Sequence, residues 1–297
     1  MSSSRDPAEA IERLAAYFAP LESRQGILAR RLLGSARPGD AELTLRLARR
    51  LASQVGPEGS VAGGLAFTAF RLIELIDLGC DEETPAVPRL IRWLAGQQDA
   101  PGCYSEGCAP PRHEKGACEH FLSGFLSPGP VEVRVAPVTI PNGKVFRAEP
   151  AARFALSCIG LRALLLTPAR TYSGVKRHLT SLARLKEAWQ GWNGYFPPDL
   201  VLTALTALAS RGSSERAVSA AGVRLLIEHQ AADGGWPETD RFVALEALET
   251  AGTPEAREAV RRSIPGLIAR QRVDGSFGPV AQQERCLIAL RALLFAV

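Results

Sequence analysis

A short turn motif recurs along this chain and divides it into units of similar length. Its pattern is a glutamine, three variable residues, a glycine, one variable residue and an aromatic residue. Full copies begin at Gln98, Gln190, Gln230 and Gln271, and a weaker copy begins at Gln54, with Gly59 following. The last three full copies lie 40 and 41 residues apart, and the 92 residues between the first two correspond to one repeat with an insertion. Repeats of this length are typical of helical arrays, in which each unit buries its apolar face against its neighbours.

Each copy of the motif lies between two helical patterns of different character. Residues before the glutamine are amphipathic, as in 254–270, whereas residues after the aromatic position are apolar on most sides, as in 242–251. An amphipathic helix faces water and a uniformly apolar helix is buried, so each repeat supplies an outer helix, a glycine turn and an inner helix. The glycine ends the outer helix because it tolerates a positive φ. We expect the glutamine and the aromatic residue to tie this helix end to the next repeat.

Counted along the chain, the patterns predict six helices of each kind. The outer helices are predicted near 7–22, 40–55, 84–98, 174–190, 214–230 and 254–271. The inner helices are predicted near 24–35, 62–79, 150–166, 198–210, 240–251 and 280–296. Six inner helices surrounded by six outer ones can close into a barrel that buries every inner face. We therefore predict an all-α fold, with residues 1–297 forming one α/α-toroid domain, and an open helical solenoid is the alternative.

The turn motifs carry a resemblance to a known superfamily. Leu94, Leu226 and Leu267 stand four residues before three of the motif glutamines, and Lys186 takes this position before Gln190. Together with the turns, this pattern resembles the repeats of the prenyltransferase and squalene–hopene cyclase (terpenoid cyclase) superfamily, over roughly residues 50–297. The resemblance implies an α/α barrel and isoprenoid chemistry. Related toroids also serve zinc-dependent peptide cyclisation and binding alone, so the fold does not settle the function.

The insertion at residues 100–149 has the signature of a small β-hairpin. Residues 131–135 alternate apolar and charged side chains, which is typical of a strand. Residues 141–143, Pro-Asn-Gly, form a tight-turn signal, and residues 144–147 supply a return strand. We predict a hairpin attached to the helical body.

A group of cysteine and histidine residues precedes this hairpin. It consists of Cys103, Cys108, His113, Cys118 and His120. Thiolate and imidazole groups are ligands that Zn²⁺ prefers, and a tetrahedral site takes four of them, so one of the five would be spare. The sequence therefore predicts a zinc ion that orders the loop. The alternative is a surface loop with free thiols, or with a labile disulfide between Cys103 and Cys108.

A second resemblance concerns the acidic residues after the Gln230 turn. The segment Trp236-Pro-Glu-Thr-Asp-Arg is similar to the acid motif of protonating terpene cyclases, in which Asp-x-Asp-Asp precedes a helix of small residues. The resemblance implies that Asp240 is the proton donor and that Glu238 replaces the first aspartate, while Arg241 replaces the last. A carboxylic acid in an apolar cavity can protonate an alkene or an epoxide. The alternative for Asp240, and for Asp199, is capping of an inner helix.

Composition and charge limit the other classes of function. Charged residues make up 22% of the chain and the formal net charge is +4, which is ordinary for a folded chain and too balanced to indicate binding of nucleic acid. Apolar runs fall short of the ~20 residues of a transmembrane helix. The first ten residues lack the apolar core of a secretory signal, so we expect a cytoplasmic protein.

These features favour an enzyme similar to terpene cyclases and prenyltransferases. It would act on an isoprenoid or other hydrophobic small molecule at the mouth of the barrel, with zinc ordering the inserted loop. The alternative is a non-catalytic toroid that binds a peptide or protein partner, with structural zinc. An apolar cavity with a buried, poorly solvated Asp240 would favour the enzyme, whereas a barrel filled by its own side chains would favour the binding module.

Zinc in the inserted loop can be tested by elemental analysis of the purified protein. We expect about one zinc ion per chain, and a lower content in Cys108→Ala and in Cys118→Ala, because loss of a thiolate opens the tetrahedral site. Cys80→Ala, at an isolated cysteine, is the matched control. Zinc content equal to wild type in both loop variants would end the zinc proposal.

Overall fold

The computed structural model describes residues 6–97, 105–106, 122–123, 134–185, 197–211 and 213–297. Within these ranges twelve α-helices alternate along the chain between an outer and an inner position. The outer helices are α1 (Pro7–Phe18), α3 (Asp40–Ala52), α5 (Ala86–Gly96), α7 (Ser173–Ala183), α9 (Arg216–Glu228) and α11 (Pro254–Ile268). The inner helices are α2 (Arg24–Leu32), α4 (Leu65–Asp77), α6 (Glu149–Leu165), α8 (Pro198–Ala209), α10 (Arg241–Ala251) and α12 (Gln282–Ala296). A short 3₁₀ helix, Pro168–Thr171, precedes α7.

The inner helices form a closed ring. Each inner helix packs against the next one along the chain, and α12 packs against α2, so the last repeat meets the first. Each outer helix lies against the inner helices beside it. The predicted all-α toroid of six inner and six outer helices is confirmed, and the open solenoid is excluded.

Burial explains which helices are inner and which are outer. On α8 every residue from Pro198 to Leu208 is buried, as expected for a helix surrounded by others. On α11 the buried residues include Ala256, Val260 and Ile264, which recur at helical spacing and form a single stripe. Among the described residues, no helix combines the length and the apolar character needed to cross a membrane.

The turn glycines approach the next outer helix so closely that no side chain would fit. Gly59, Gly234 and Gly275 have φ values of 99°, 73° and 83°. A Cβ atom at Gly275 would lie 2.5 Å from the carbonyl oxygen of Arg13 on α1. The other two glycines abut carbonyl groups of α5 and α11 in the same way. Glycine is therefore required at these positions both by the backbone conformation and by the close approach.

The motif glutamines tie each turn to the same neighbouring helix. The side-chain amide of Gln230 donates a hydrogen bond of 2.8 Å to the carbonyl oxygen of Ala259 on α11, and that of Gln271 donates one of 3.1 Å to Ala10 on α1. Each glutamine also donates to the carbonyl oxygen of its own turn glycine, at 3.2 Å. Arg13 Nε in turn donates to Gln271 Oε1 at 2.9 Å. The predicted role of the glutamine is confirmed at these two turns.

The turn after α3 has the same backbone hydrogen bond as the Gln271 turn, but it begins one residue later than predicted. Gly59 N donates to the carbonyl oxygen of Gly56, as Gly275 N does to that of Arg272, which places Val55 in the glutamine position. Val55 is buried, whereas Gln54 is exposed. The prediction that Gln54 begins this copy is therefore wrong by one residue.

Two short antiparallel strand pairs lie between α5 and α6. Strand β1 (Ser105–Glu106) pairs with β2 (Leu122–Ser123), and β3 (Val138–Thr139) pairs with β4 (Val145–Phe146). The return strand predicted at 144–147 is confirmed by β4.

The first strand of the predicted hairpin is misplaced. Of residues 131–135, the structure describes only 134–135, and these two are not in a strand. The backbone N–H groups of Val135 and Ala136 donate instead to the carboxylate of Glu149, at 3.1 and 2.9 Å. Because a side chain takes these donors, the pairing with β4 begins only at Val138.

One histidine on an outer helix is more buried than expected. The amphipathic pattern places His178 and His229 at exposed or capping positions, and His229 is indeed the residue that ends α9. His178, however, is fully buried on α7. Burial lowers the pKa of His178 to about 4, so this side chain is neutral at physiological pH.

Removal of the Gln271 amide should destabilise the ring. We expect Gln271→Ala to lower the free energy of unfolding by about 1–3 kcal/mol, because the carbonyl oxygens of Ala10 and Gly275 lose a buried donor. The control is Glu12→Ala, at an exposed residue of α1, with an expected change within about 0.5 kcal/mol. Urea denaturation measures both. Equal effects would show that the contact with α1 does not stabilise the closed ring.

Candidate functional site

A cavity of about 880 Å³ lies inside the ring, within the size range of small-molecule sites. All six inner helices contribute to its lining, together with the turn between β3 and β4. Its apolar side chains come mainly from α4 and α6 and include Phe67, Phe70, Ile73, Ile159 and Leu166. The barrel is therefore not filled by its own side chains.

Charged side chains line the same cavity. The arginines are Arg24, Arg71, Arg162, Arg211 and Arg291. The carboxylates are Glu74, Asp77, Glu246, Glu249 and Glu284. Nine of these ten groups form ion pairs, most of them between helices; for example, Arg24 pairs with both Asp77 and Glu284. Counted over the described lining residues, the cavity has no net formal charge.

Glu246 is held as an ionised partner. Arg162 Nη1 lies 2.5 Å from Glu246 Oε1, and Asn142 Nδ2 donates to Glu246 Oε2 at 3.2 Å. Burial alone would raise the pKa of Glu246, but Arg162 and Asn142 outweigh burial and leave this pKa below its ordinary value. The pair joins α6 to α10 across the cavity wall.

Glu249 is on the same helix, three residues later, and is in a different environment. Burial raises the pKa of Glu249, and repulsion from Glu246 adds to the rise. Arg291 on α12 lowers the pKa of Glu249 and so offsets this rise only partly. The Nε atom of Arg291 lies 3.9 Å from Glu249 Oε1, beyond hydrogen-bond distance. The pKa of Glu249 therefore lies above its ordinary value, whereas that of Glu246 lies below it.

Asp240 lies outside this cavity. Its side chain accepts a hydrogen bond of 2.9 Å from Phe242 N and so caps α10, as the alternative interpretation predicted. It also pairs at 2.5 Å with Arg285, whose guanidinium carbon is 4.9 Å from the centre of the Phe242 ring. Asp240 lines a second pocket of about 470 Å³, which shares no lining residue with the central cavity. Glu238 is exposed in the turn, with a φ of 61°, and lines neither pocket.

The turn between β3 and β4 covers the end of the ring where the inner helices begin. Lys144 pairs with Asp199, and Arg285 Nε donates to the carbonyl oxygen of Asn142 at 2.9 Å. Asp199 also accepts a hydrogen bond from Thr239. Asp199 and Asp240, which follow two of the turns, therefore lie close together, with Asp240 N donating to Asp199 Oδ1 at 3.4 Å. Asp199 does not cap α8, however: it lies in the first helical turn and binds the hairpin instead.

The predicted metal ligands cannot be placed. Cys103, Cys108, His113, Cys118 and His120 all lie outside the described residues. Within the described part of the chain, no group of three or more histidine, cysteine and acidic side chains is arranged to hold a metal ion. The other cysteines, Cys80, Cys158 and Cys286, form no disulfide among the described residues. Cys158 and Cys286 are buried, as expected for small apolar residues, whereas Cys80 is only half-buried.

The charged residues of the cavity were missed by sequence reasoning, although they left a signal. Glu246 and Glu249 are three residues apart on a helix that is otherwise mostly apolar, and Arg162 and Arg291 interrupt α6 and α12 in the same way. A charge on an inner helix cannot face an outer helix without a large desolvation cost. Such charges therefore indicate the side of the helix that faces an internal cavity.

Solved structures with the same fold match almost the whole length of this chain. One is a variant of the type II terpene cyclase MstE from Scytonema in complex with merosterolic acid A, its product. It is 14% identical, with a TM-score of 0.58 over 98% of this chain and 96% of that chain. A second MstE variant, in complex with its substrate geranylgeranyl dihydroxybenzoate, is 13% identical, with a TM-score of 0.59 over 98% and 97%. A protein from Actinoplanes is 15% identical, with a TM-score of 0.59 over 98% and 99%.

These likenesses establish the fold. The chain has the toroid fold of type II terpene cyclases, which confirms at the level of architecture the resemblance seen in its turn motifs. No family model matches the sequence, and no curated protein matches it. At 13–15% identity the chemistry must be argued from the residues of this chain.

The two glutamates of α10 should affect stability with opposite signs. The pKa of Glu246 is lower in the folded chain than in the unfolded one, so ionised Glu246 stabilises the fold above its unfolded pKa, and this contribution is lost as the pH falls. The pKa of Glu249 is higher in the folded chain, so the free energy of unfolding decreases as the pH rises from the unfolded pKa through the folded one.

At about pH 7.5 we expect Glu246→Gln to lower the free energy of unfolding by about 3 kcal/mol, because Arg162 loses its partner. Glu249→Gln should leave that free energy unchanged or raise it, because a carboxylate that is costly to ionise has been removed. Urea denaturation at about pH 5 and about pH 7.5 measures both variants. Equal destabilisation by the two substitutions would contradict this description of the cavity.

Proposed function

We propose that this chain is an enzyme of the terpene cyclase type, which binds an isoprenoid or another hydrophobic small molecule in the central cavity. The observation that carries the proposal is the cavity of about 880 Å³ inside a closed ring of inner helices. A toroid that served only as a binding surface for a protein partner would have no need of such an internal space. On this point the cavity favours the enzyme over the binding module, although Asp240, the acid expected inside it, does not line it.

The lining suits an uncharged molecule with a long apolar part. Phe67, Phe70 and Ile73 lie along one side of α4 and face the space, and the two rings could stabilise a carbocation through their π faces. The arginines are balanced by carboxylates, so the cavity offers no excess positive charge for a diphosphate group. The MstE complexes with geranylgeranyl dihydroxybenzoate and merosterolic acid A support an isoprenoid ligand by analogy of fold.

The chemistry would begin with protonation. On the interpretation carried by the acid motif, Asp240 gives the proton and Glu238 stands in the place of the first aspartate. Asp240 lines the smaller pocket at the start of α10, so the reacting end of the ligand would have to reach that pocket. Asp240 also caps α10 and pairs with Arg285. A zinc ion bound by four of the five ligands Cys103, Cys108, His113, Cys118 and His120 would order the inserted loop beside this mouth. Cys108→Ala and Cys118→Ala test the zinc assignment, and Asp240→Asn tests the proton donor.

Filling the cavity with a larger side chain should weaken ligand binding. We expect the apolar probe geranylgeraniol to bind the wild-type protein, and Ile159→Trp to weaken that binding at least tenfold, because the larger side chain occupies the space. Val273→Trp, which adds the same ring system at a fully exposed position, is the matched control and should bind as the wild type does. Isothermal titration calorimetry measures the affinities, and thermal unfolding confirms that both variants are folded.

Two outcomes would contradict this proposal. If geranylgeraniol does not bind the wild-type protein, the cavity is not an isoprenoid site. If it binds equally well to Ile159→Trp, the ligand lies elsewhere on the surface.

A further inference from the structure

The five carboxylates that line the cavity differ in how closely a cation approaches them. Glu246 is 2.5 Å from Arg162, Glu284 is 2.5 Å from Arg24, and Asp77 also contacts Arg24. The fourth, Glu74, accepts a hydrogen bond from Arg71 at 3.0 Å. Each of these four carboxylates is therefore in direct contact with a guanidinium.

Glu249 is the exception among the described lining residues. Its nearest cationic atom is Arg291 Nε, 3.9 Å away, and it forms no hydrogen bond within the described part of the chain. The other charged groups that act on it are Arg162 on α6 and Glu246 on its own helix, and these two are paired with each other. From α8, the side chains that line the cavity are Thr203 and Thr206, which carry no charge.

The position of Glu249, which lines the cavity without a cation in direct contact, makes its ionised form less favourable. About a quarter of the Glu249 side chain is exposed, and its nearest cation lies beyond hydrogen-bond distance, so its ionised form is less stabilised than that of the four carboxylates in direct contact with a guanidinium. A group of this kind, facing a space large enough for a ligand, is the arrangement expected of an acid that works on the ligand.

We propose that Glu249 is the carboxyl group that gives a proton to a ligand bound in the central cavity. This inference rests on the proposed function, because it assumes that an isoprenoid-like molecule occupies the cavity. It assigns the role of proton donor to Glu249, near the end of α10, in place of Asp240 at the start of the same helix. The ligand group that would meet Glu249 is an alkene or an epoxide.

The step balances without an oxidant or a second substrate. The O–H bond of the Glu249 carboxyl breaks and its proton forms a C–H bond with the electron pair of the alkene, which leaves a carbocation beside the carboxylate. Ring-forming C–C bonds then carry the positive charge along the chain of the ligand. When the last cation loses a proton to a carboxylate or to water, a double bond forms, so that substrate and product are isomers.

An ammonium ligand can stand in for the carbocation. We would measure the binding of N,N-dimethyldodecylamine and of the neutral control 1-dodecanol by isothermal titration calorimetry, from about pH 5.5 to about pH 8. The amine stays protonated over this range, as a lysine side chain does. Because the cation favours ionised Glu249 and competes with its proton, the affinity of the wild-type protein for the amine should rise about tenfold with pH. The affinity for the alcohol should stay constant.

Glu249→Gln should remove this dependence on pH and weaken amine binding about tenfold at the upper end of the range, while alcohol binding is unchanged. Glu249→Ala is the second variant, should the first fail to fold. Glu255→Gln removes an exposed glutamate from α11 and is the matched control. If Glu249→Gln keeps the dependence on pH, the inference is overturned and the proposed function stands. If Asp240→Asn instead loses the dependence of amine binding on pH, the proton donor is Asp240. If neither ligand binds the wild-type protein, the proposed function fails as well.

Discussion

The structure depends on the docking of each glycine turn onto the next outer helix. At the last turn, Gln271 and Gly275 meet the backbone of α1, and Arg13 returns a hydrogen bond to Gln271. This contact joins repeats that are some 260 residues apart in the chain. The hydrogen bonds are buried, so their donors and acceptors would be costly to leave unpaired in an open array. Closure of the outer layer in turn lets α12 meet α2, and only a closed inner ring can enclose a cavity.

The polar lining of that cavity is not needed for the stability of the fold, as the physical chemistry of buried ions shows. Ion pairs such as Arg162 with Glu246 lose hydration when they form, and an apolar lining of similar volume would be at least as stable. The pairs do fix the spacing of α6 and α10 and leave an interior without net charge. In a cavity without net charge, a single weakly paired acid such as Glu249 can donate a proton, because the other carboxylates are each paired with an arginine.

The fold was accessible from the sequence because it is encoded by a repeated local signal. The spacing of glutamine, glycine and aromatic residues gave the number and order of the helices, and uniform apolarity separated inner from outer ones. The site was harder to predict because it depends on which way single side chains face. The Asp240 segment was singled out for its motif, yet its neighbour in space is Arg285, more than 40 residues away. Glu249 has no motif at all, and its environment is set by α6 and α12, which no local pattern specifies. The buried His178 and the shifted register at Val55 were missed for the same reason.

Because α1 lies against α2, α11 and α12, the ring has no terminal repeat. An open solenoid must protect its two ends with specialised polar units, whereas here every repeat has a neighbour on both sides. The order in which the chain visits the repeats is thus a matter of connectivity and not of packing. The architecture is in principle indifferent to where around the circle the polypeptide starts, which makes it a natural candidate for circular permutation.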